Sequence, residues 1–371
     1  MGQQYCAMED LVMQQFNNIF YNRRVLVTGH TGFKGSWLTL WLQHLGARVF
    51  GFAQSPDSSP NHWDLLHLNI EECRSDVRDA AAVAVFLKKV RPEIVFHLAA
   101  QPLVRRSYQD PLGTWSTNVM GTANLLEACR TIKEVQAIVV VTTDKVYANN
   151  EWLWGYRETD RLGGHDSYSA SKAATELVVN SFRKSFFCFP SAPLLATARA
   201  GNVIGGGDWS QDRLIPDLMR ALQSGNPLEV RSPLATRPWQ HVLDCLSGYL
   251  LLGQKLLEGR SEFADAWNFG PEQQSNRAVH EILTEFKKFW PQACWKKTEE
   301  IQPHEAGFLY LDSSRAKTLL DWQQVWTLEE GLSATAAWYR TFFEKAEVLS
   351  SKQLKTFLQT AQENRLAWIT D

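Results

Sequence analysis

Tyr168 and Lys172 stand four residues apart in the stretch Tyr168-Ser-Ala-Ser-Lys172. On a helix that spacing puts a phenol and an ammonium on one face. A lysine so placed holds the phenol oxygen in a field that favours phenolate. Free tyrosine titrates near 10, so serving as a base near neutrality needs its pKa lowered by roughly three, about 4 kcal/mol. A close cation supplies part of that. The same spacing also occurs on ordinary amphipathic surface helices, so the pair gains meaning only from its company. Twenty-five residues before Tyr168, the apolar run Val139-Val-Val141 ends in Thr142, Thr143, Asp144 and Lys145. An Asp-Lys pair after a strand can be a solvated turn. One strand and loop ahead of a tyrosine helix, it can also reach the same cleft and move protons there.

A third element sits near the start, in Val25-Leu-Val-Thr-Gly29-His-Thr-Gly32-Phe-Lys-Gly35-Ser-Trp-Leu38. A β-branched run ends in glycines three apart and passes into an apolar helical pattern, the context of a dinucleotide fingerprint. Gly29 permits the tight turn, Gly32 lets backbone approach a pyrophosphate, and Gly35 lets helix and strand pack closely. The helix start then faces the phosphates with free N–H groups. A cationic nicotinamide ring held there, with partial burial, would add to the effect of Lys172 on Tyr168.

These groups need a scaffold, and the first half of the chain supplies one by alternation. Strands are expected at 24–28, 47–53, 73–76, 93–98, 137–143 and 194–199, and helices at 33–45, 79–90, 115–130 and 168–187. That rhythm predicts an α/β fold, a doubly wound parallel Rossmann-type sheet. From about 199 glycines and prolines break the rhythm, so a smaller α+β substrate-binding lobe is expected to close over the cleft. Leu328, Leu332, Ala336 and Trp338, then Leu354, Phe357 and Leu358, recur at helical spacing and are expected to pack on that lobe. The first 20 residues are expected to be loosely ordered. Of fifteen tryptophans, Trp209 and Trp239 stand beside arginine- or aspartate-bearing words and are singled out as ligand neighbours.

The order of Gly29-x-x-Gly32-x-x-Gly35, Asp76-Val77, His97-Leu-Ala-Ala100, Asn118 and Tyr168/Lys172 resembles the extended short-chain dehydrogenase/reductase family, and within it the nucleotide-sugar 4,6-dehydratases. Thr28-Gly-His-Thr-Gly-Phe-Lys-Gly35, Thr143-Asp-Lys-Val-Tyr147, the word from Arg199 to Trp209, and Arg237-Pro-Trp-Gln-His-Val242 narrow the resemblance to the branch acting on CDP-glucose. It spans roughly residues 23 to 330. It implies NAD as cofactor, contacted by Gly29, Thr31, Gly32, Phe33, Lys34, Gly35, Asp76, Val77, Leu98, Ala99, Ala100, Asn118, Thr142, Tyr168 and Lys172. It also implies a large lobe at 22–198, rejoined by roughly 237–270, a sugar-nucleotide lobe at 199–236 and 271–345, and a helical tail at 346–371. A homodimer through the helices at 115–130 and 168–187 is implied too, although their apolar positions could equally face only the sheet.

The chemistry implied is removal of water from a nucleotide-linked hexose. Tyr168 removes the C4 hydroxyl proton, with Lys172 lowering its pKa and holding the nicotinamide ribose, and Thr143 hydrogen-bonds the same hydroxyl. Oxidation at C4 acidifies the C5 hydrogen, and elimination at C5–C6 needs a second acid and base. Asp144 suits the acid if burial raises its pKa. Lys145 departs from the dTDP-glucose enzymes, which carry glutamate there as C5 base. It acts either as a base with a depressed pKa or as a stabiliser of the enolate.

Cofactor choice is less plainly written. An acid about 20 positions beyond the glycine turn usually grips the NAD ribose. Here Phe52-Ala-Gln-Ser-Pro-Asp57 places it late, and Lys34 could favour a 2′-phosphate. Asp76 could be a helix cap. For substrate, the amide of Asn202 and the guanidiniums of Arg213 and Arg237 suit a diphosphate. Gln101 and Arg105 follow the fourth strand and are expected to line the sugar pocket.

With 38 basic and 40 acidic residues, the chain offers no general attraction to nucleic acid or membrane surfaces. Six scattered cysteines show no metal or redox spacing, no metal site is expected, and a reduced cytoplasmic protein is. No apolar run approaches a membrane span, and Met1-Gly-Gln-Gln-Tyr-Cys6 lacks the regions of a signal peptide. A 4-epimerase or a GDP-mannose-type dehydratase is the near alternative, and a dinucleotide-sensing scaffold the distant one. Asp144-Lys145 argues against the epimerase, and the intact tyrosine–lysine pair against the scaffold.

Overall fold

The computed structural model describes residues 14–299 and 306–370. Seven strands form its main sheet: Arg24–Thr28 (β1), Arg48–Ala53 (β2), Glu71–Arg74 (β3), Ile94–His97 (β4), Ala137–Val141 (β5), Leu194–Ala200 (β6) and Ala266–Phe269 (β7). They are ordered β7-β6-β5-β4-β1-β2-β3 and all pair in parallel. Five helices cover both faces: Phe33–His44 (α1), Ala80–Val90 (α2), Gly121–Arg130 (α3), Ser167–Ser185 (α4) and Val242–Leu257 (α5). Strand side chains alternate between the faces, and both faces are apolar because both are covered. Val25, Val27, Phe96, Val139 and Ala198 pack with α1 and α5. Leu26, Val95, Ile138 and Val140 pack with α2, α3 and Val179 of α4. The strand order reverses between β1 and β4, and a cleft opens there at the carboxyl ends, as doubly wound sheets dictate.

Local signals fix the elements that matter. Asp166 and Ser169 form a reciprocal capping box, so α4 starts at Ser167 and Tyr168 lies in its first turn. Asp79, not Asp76, caps α2. The helix expected at 115–130 is built differently. It runs as a short helix Pro111–Trp115, a wide π-turn Ser116–Met120 and then α3. α5 and β7 return to the large sheet from the 237–270 region.

The smaller lobe packs helices Leu214–Ser224, Val279–Phe289 and Leu328–Lys345 around Ile215, Leu218, Ile282, Phe286, Trp338 and Tyr339. Trp209 and Trp239 border the cleft, but both are buried members of this core. Trp209 meets the Tyr339 ring edge-on at 5.5 Å, and the Trp239 indole N–H donates to the Arg277 carbonyl at 2.9 Å.

The tail divides. Leu332, Ala336 and Trp338 do pack on the small lobe. Leu354, Phe357 and Leu358, on the helix Ser350–Glu363, instead join the core of the large sheet. Their partners are the apolar back of α1 and the start of the chain: the Phe357 ring lies 5.6 Å from Trp41, and Trp368 stacks on Phe16 at 4.9 Å. Gln14–Gln15 pairs with Ile369–Thr370. Residues 14–20 are therefore held in place, contrary to the expected looseness, because Phe16 and Phe20 are buried. Residues 1–13, including Cys6, lie outside the described residues; the other five cysteines are unpaired. Among the described residues no helix is long and apolar enough to cross a membrane, and no cluster of side chains suits a metal ion.

Candidate active site

A cleft of about 1290 Å³ lies over the carboxyl ends of the central strands, between the sheet and the smaller lobe. Its floor is the glycine turn. Gly29 has φ +72°, and a Cβ there would come within 2.7 Å of the Ala99 nitrogen. A Cβ at Gly35 would lie 2.1 Å from the Gly29 carbonyl oxygen, so strand and helix can approach only through glycine. At Gly32 the protein leaves ordinary space, and no side chain caps α1 at that residue. The first N–H groups of the helix are thus available to the cleft. Thr28 ties the turn to the next loop, its hydroxyl accepting from the Leu98 and Ala99 N–H groups at 3.2 Å each. Leu98, Ala99, Ala100 and Phe33 line the cleft beside it, and Thr31 donates to the Gln54 carbonyl at 2.9 Å.

At the β2–β3 end, Asp76 accepts from Gln54 at 2.6 Å and from Arg78 at 2.6 and 2.9 Å. The Arg78 guanidinium holds that carboxyl below the usual range. Val77 packs beneath it against Gly121. The residue after β2 is Gln54 rather than an acid, and Asp57 pairs with Arg106 at 3.3 Å. Lys34 lines the cleft, and its ammonium donates to the Tyr249 hydroxyl on α5 at 3.3 Å.

The catalytic candidates converge. Thr143 begins a tight turn, Asp144–Val146, at the end of β5. Its hydroxyl donates to Asp144 Oδ1 at 2.9 Å. Asp144 is 1% exposed, and its Oδ2 has no hydrogen-bond partner. Burial pushes its pKa up, against the opposing charges of Lys145, Arg237 and Lys34. The result is a carboxyl poised to keep its proton, with Lys145 beside it on the cleft wall.

Tyr168 and Lys172 both line the cleft on one face of α4. Burial pushes the phenol up to about 12, with Thr143 and Arg213 lowering it and Asp144 raising it. The Lys172 ammonium donates to the Val141 carbonyl at 3.2 Å, and burial, aided by Lys34, brings its pKa down to about 8. At Tyr168 burial therefore acts against the phenolate, contrary to the part expected of it, because desolvation opposes ionisation of a phenol.

Thr142 lines the cleft but gives its hydroxyl to Glu176 at 2.5 Å. Arg213, Arg237, Arg105 and Asn202 all line the outer half. Arg213 pairs with Asp208 at 3.1 Å, and the buried Arg237 donates to the Thr236 carbonyl at 2.8 Å. Arg105 shares Asp212 Oδ1 with Arg231, which sequence reasoning did not select. Two candidates stand apart. Asn118 is buried and holds the Gln101 backbone, accepting from its N–H at 2.8 Å and donating to its carbonyl at 3.1 Å. Gln101 turns its amide to Leu103 and Thr114. Neither side chain borders the cleft; they brace its loop.

A sequence model of the GDP-mannose 4,6 dehydratase family matches residues 26–335, and the chain belongs to that family. It is 43% identical to the CDP-glucose 4,6-dehydratase of Salmonella typhimurium, over 92% of this chain and 98% of that one. The dTDP-glucose 4,6-dehydratase of Xanthomonas campestris is 28% identical over 85% of this chain and 93% of its own. Among solved structures, an epimerase of Methanothermobacter thermautotrophicus has a TM-score of 0.79 at 25% identity, covering 91% of this chain and 96% of that one. The dTDP-glucose 4,6-dehydratase of Bacillus anthracis, in complex with NAD, has a TM-score of 0.73 at 21% identity, covering 87% and 98%, and shares the fold.

Proposed function

We propose that this chain is an NAD-dependent lyase that converts CDP-glucose to CDP-4-dehydro-6-deoxyglucose and water. The observation that carries the reading is Asp144: a buried carboxyl with an unpartnered oxygen, on the wall of the cleft that Tyr168 also borders. A 4-epimerase needs no such acid. The base of the nucleotide rests on the similarity to the Salmonella enzyme.

The glycine turn fits the dinucleotide. Gly29 and Gly35 let the turn, its neighbouring loop and α1 close on one another, the protein leaves space at Gly32, and the uncapped start of α1 suits a pyrophosphate. Bound NAD would supply a hydride acceptor that takes the C4 hydrogen and gives it back at C6, where the hydroxyl has left, while C5 regains a proton, so the net loss is water. Tyr168 takes the C4 hydroxyl proton while Thr143 holds that hydroxyl. Burial holds the phenol up at about 12, and the positive charges of Lys172 and of a bound nicotinamide ring would lower it. Lys172 holds the nicotinamide ribose. Once C4 is a ketone, the C5 hydrogen is acidic, and Asp144 protonates the departing C6 hydroxyl. Lys145 takes the C5 proton or steadies the enolate. Arg213, Arg237 and Asn202 receive the diphosphate, with Arg105 beside them.

Leu112, Met120 and Leu177 are 81%, 55% and 60% exposed on the helices Pro111–Trp115 to α3 and on α4. A homodimer that covers them suits these faces, and a cytoplasmic location suits such an enzyme. The test of function is incubation of the purified protein with CDP-, dTDP-, UDP- and GDP-linked hexoses. Loss of water from CDP-glucose alone is expected. An epimer as the only product, or no turnover of any of them, overturns the reading.

A further inference from the structure

Tyr168, Lys172 and Glu176 recur every four residues along α4, and the third of them never reaches the cleft. Glu176 is 4% exposed and accepts hydrogen bonds at both carboxylate oxygens. Thr142 donates at 2.5 Å, Thr197 at 2.8 Å, and Arg199 of β6 through Nε at 2.9 Å and Nη2 at 2.8 Å. The remaining guanidinium nitrogen, Nη1, donates to the Tyr147 hydroxyl at 2.8 Å. Tyr147 in turn donates to Asn268 Oδ1 on β7 at 2.7 Å, and its ring lies under the guanidinium. Tyr147 is the residue that ends the turn Asp144–Val146.

We infer that Arg199 is a positioning residue that sets the distance between the two halves of the chemistry. One planar group fixes the helix carrying Tyr168 and Lys172 through Glu176, and fixes the turn carrying Asp144 through Tyr147. Both elements follow β5 and touch each other, and Lys172 and Glu176 tie the helix to the strand end through Val141 and Thr142; Arg199 adds the charged link from the helix to the far end of the turn. Arginine suits the task because its five donors lie in one rigid plane. The inference rests on the acid and base roles proposed above for Asp144 and Tyr168. A misplacement of about 1 Å between reacting groups lowers rate by about a hundredfold, which is why such a brace matters.

The variant that separates the two arms is Tyr147→Phe, which removes one hydroxyl and keeps the Glu176–Arg199 pair. Its turnover of CDP-glucose is expected to fall about tenfold at unchanged KM, since loosening is smaller than full misplacement. The helix arm stays intact, so oxidation at C4 should outrun elimination, and the absorbance of reduced cofactor should build up during turnover. Arg199→Lys, which cannot bridge both partners, should lose more, and the double variant no more than Arg199→Lys alone. Amide hydrogen exchange of residues 143–147 in the protein without ligands is the second readout, and it should accelerate in Tyr147→Phe while the melting temperature holds. Unchanged turnover and unchanged exchange in a folded Tyr147→Phe protein overturn the inference. If the parent protein turns over no CDP-glucose, the functional reading fails, and the exchange measurement alone decides the coupling.

Discussion

The inner and outer halves of the cleft are built on opposite terms. Inside, Asp144, Tyr168 and Lys172 are buried, and the groups behind them are bonded to one another. Outside, Arg213, Arg105 and Arg231 are partly exposed and already paired with carboxylates, in Arg213–Asp208 and Arg105–Asp212–Arg231, while Arg237 is buried. Buried groups have their pKa set by the fold, because water cannot compete. Exposed ion pairs contribute about 0–1 kcal/mol and can be exchanged for a phosphate with little loss. On the function proposed above, the inner half serves proton transfer and the outer half trades one anion for another.

That contrast can be broken by substitution. Tyr168→Phe should give the largest effect, a fall in turnover of about a thousandfold with little change in KM. Steady-state kinetics check it, and retention of a tenth of the parent rate would remove the phenol from the chemistry. Asp144→Asn should lower turnover about a hundredfold and also change the pH profile. The acid works protonated and its folded pKa is raised, so activity is full below that pKa and falls as pH rises through it. The asparagine variant should lack that alkaline limb.

Lys145→Met with C5-deuterated substrate sharpens the elimination step. Loss of deuterium wash-out into solvent assigns the base to Lys145, whereas retained wash-out leaves it only the stabilising part. Arg237→Gln should act from the outer half, raising KM about tenfold at nearly constant turnover, the scale of one charge-assisted hydrogen bond.

The smallest effect falls on stability and lies outside the cleft. Asp244 on α5 is buried, accepts from the Val325 N–H at 2.6 Å, and leaves Oδ2 without a partner. Burial pushes its pKa up to about 8 from an ordinary 3.8. The folded state holds the proton longer than the unfolded chain, so this contribution is whole below about 3.8 and is lost as pH climbs to about 8. Asp244→Asn should flatten the fall of melting temperature over that range, and an unaltered slope would contradict it.

Much of this was legible beforehand for a local reason. Strand and helix periods of 2 and 3.6 are short-range, so β1 at 24–28 and α1 from Phe33 emerge from the pattern alone. The glycine turn is equally local, because Gly29 and Gly35 answer to neighbours within a few residues and one adjoining loop. Glu176 carried a readable signal as well: it continues the spacing of Tyr168 and Lys172 by one more turn. Arg231 carried none, since an arginine in a loop looks like any solvated one.

By itself, then, the chain determined its sheet, its dinucleotide turn and the shared face of Tyr168 and Lys172, all of which follow from the spacing of neighbouring residues. Folding decided the rest. It brought Lys34 to Tyr249, set Asn118 and Gln101 to bracing a loop, and laid Phe357 on Trp41. It also raised the Tyr168 phenol instead of lowering it. Burial and hydrogen-bond partners come from segments far apart in the sequence, and they alone fix which protons a side chain keeps.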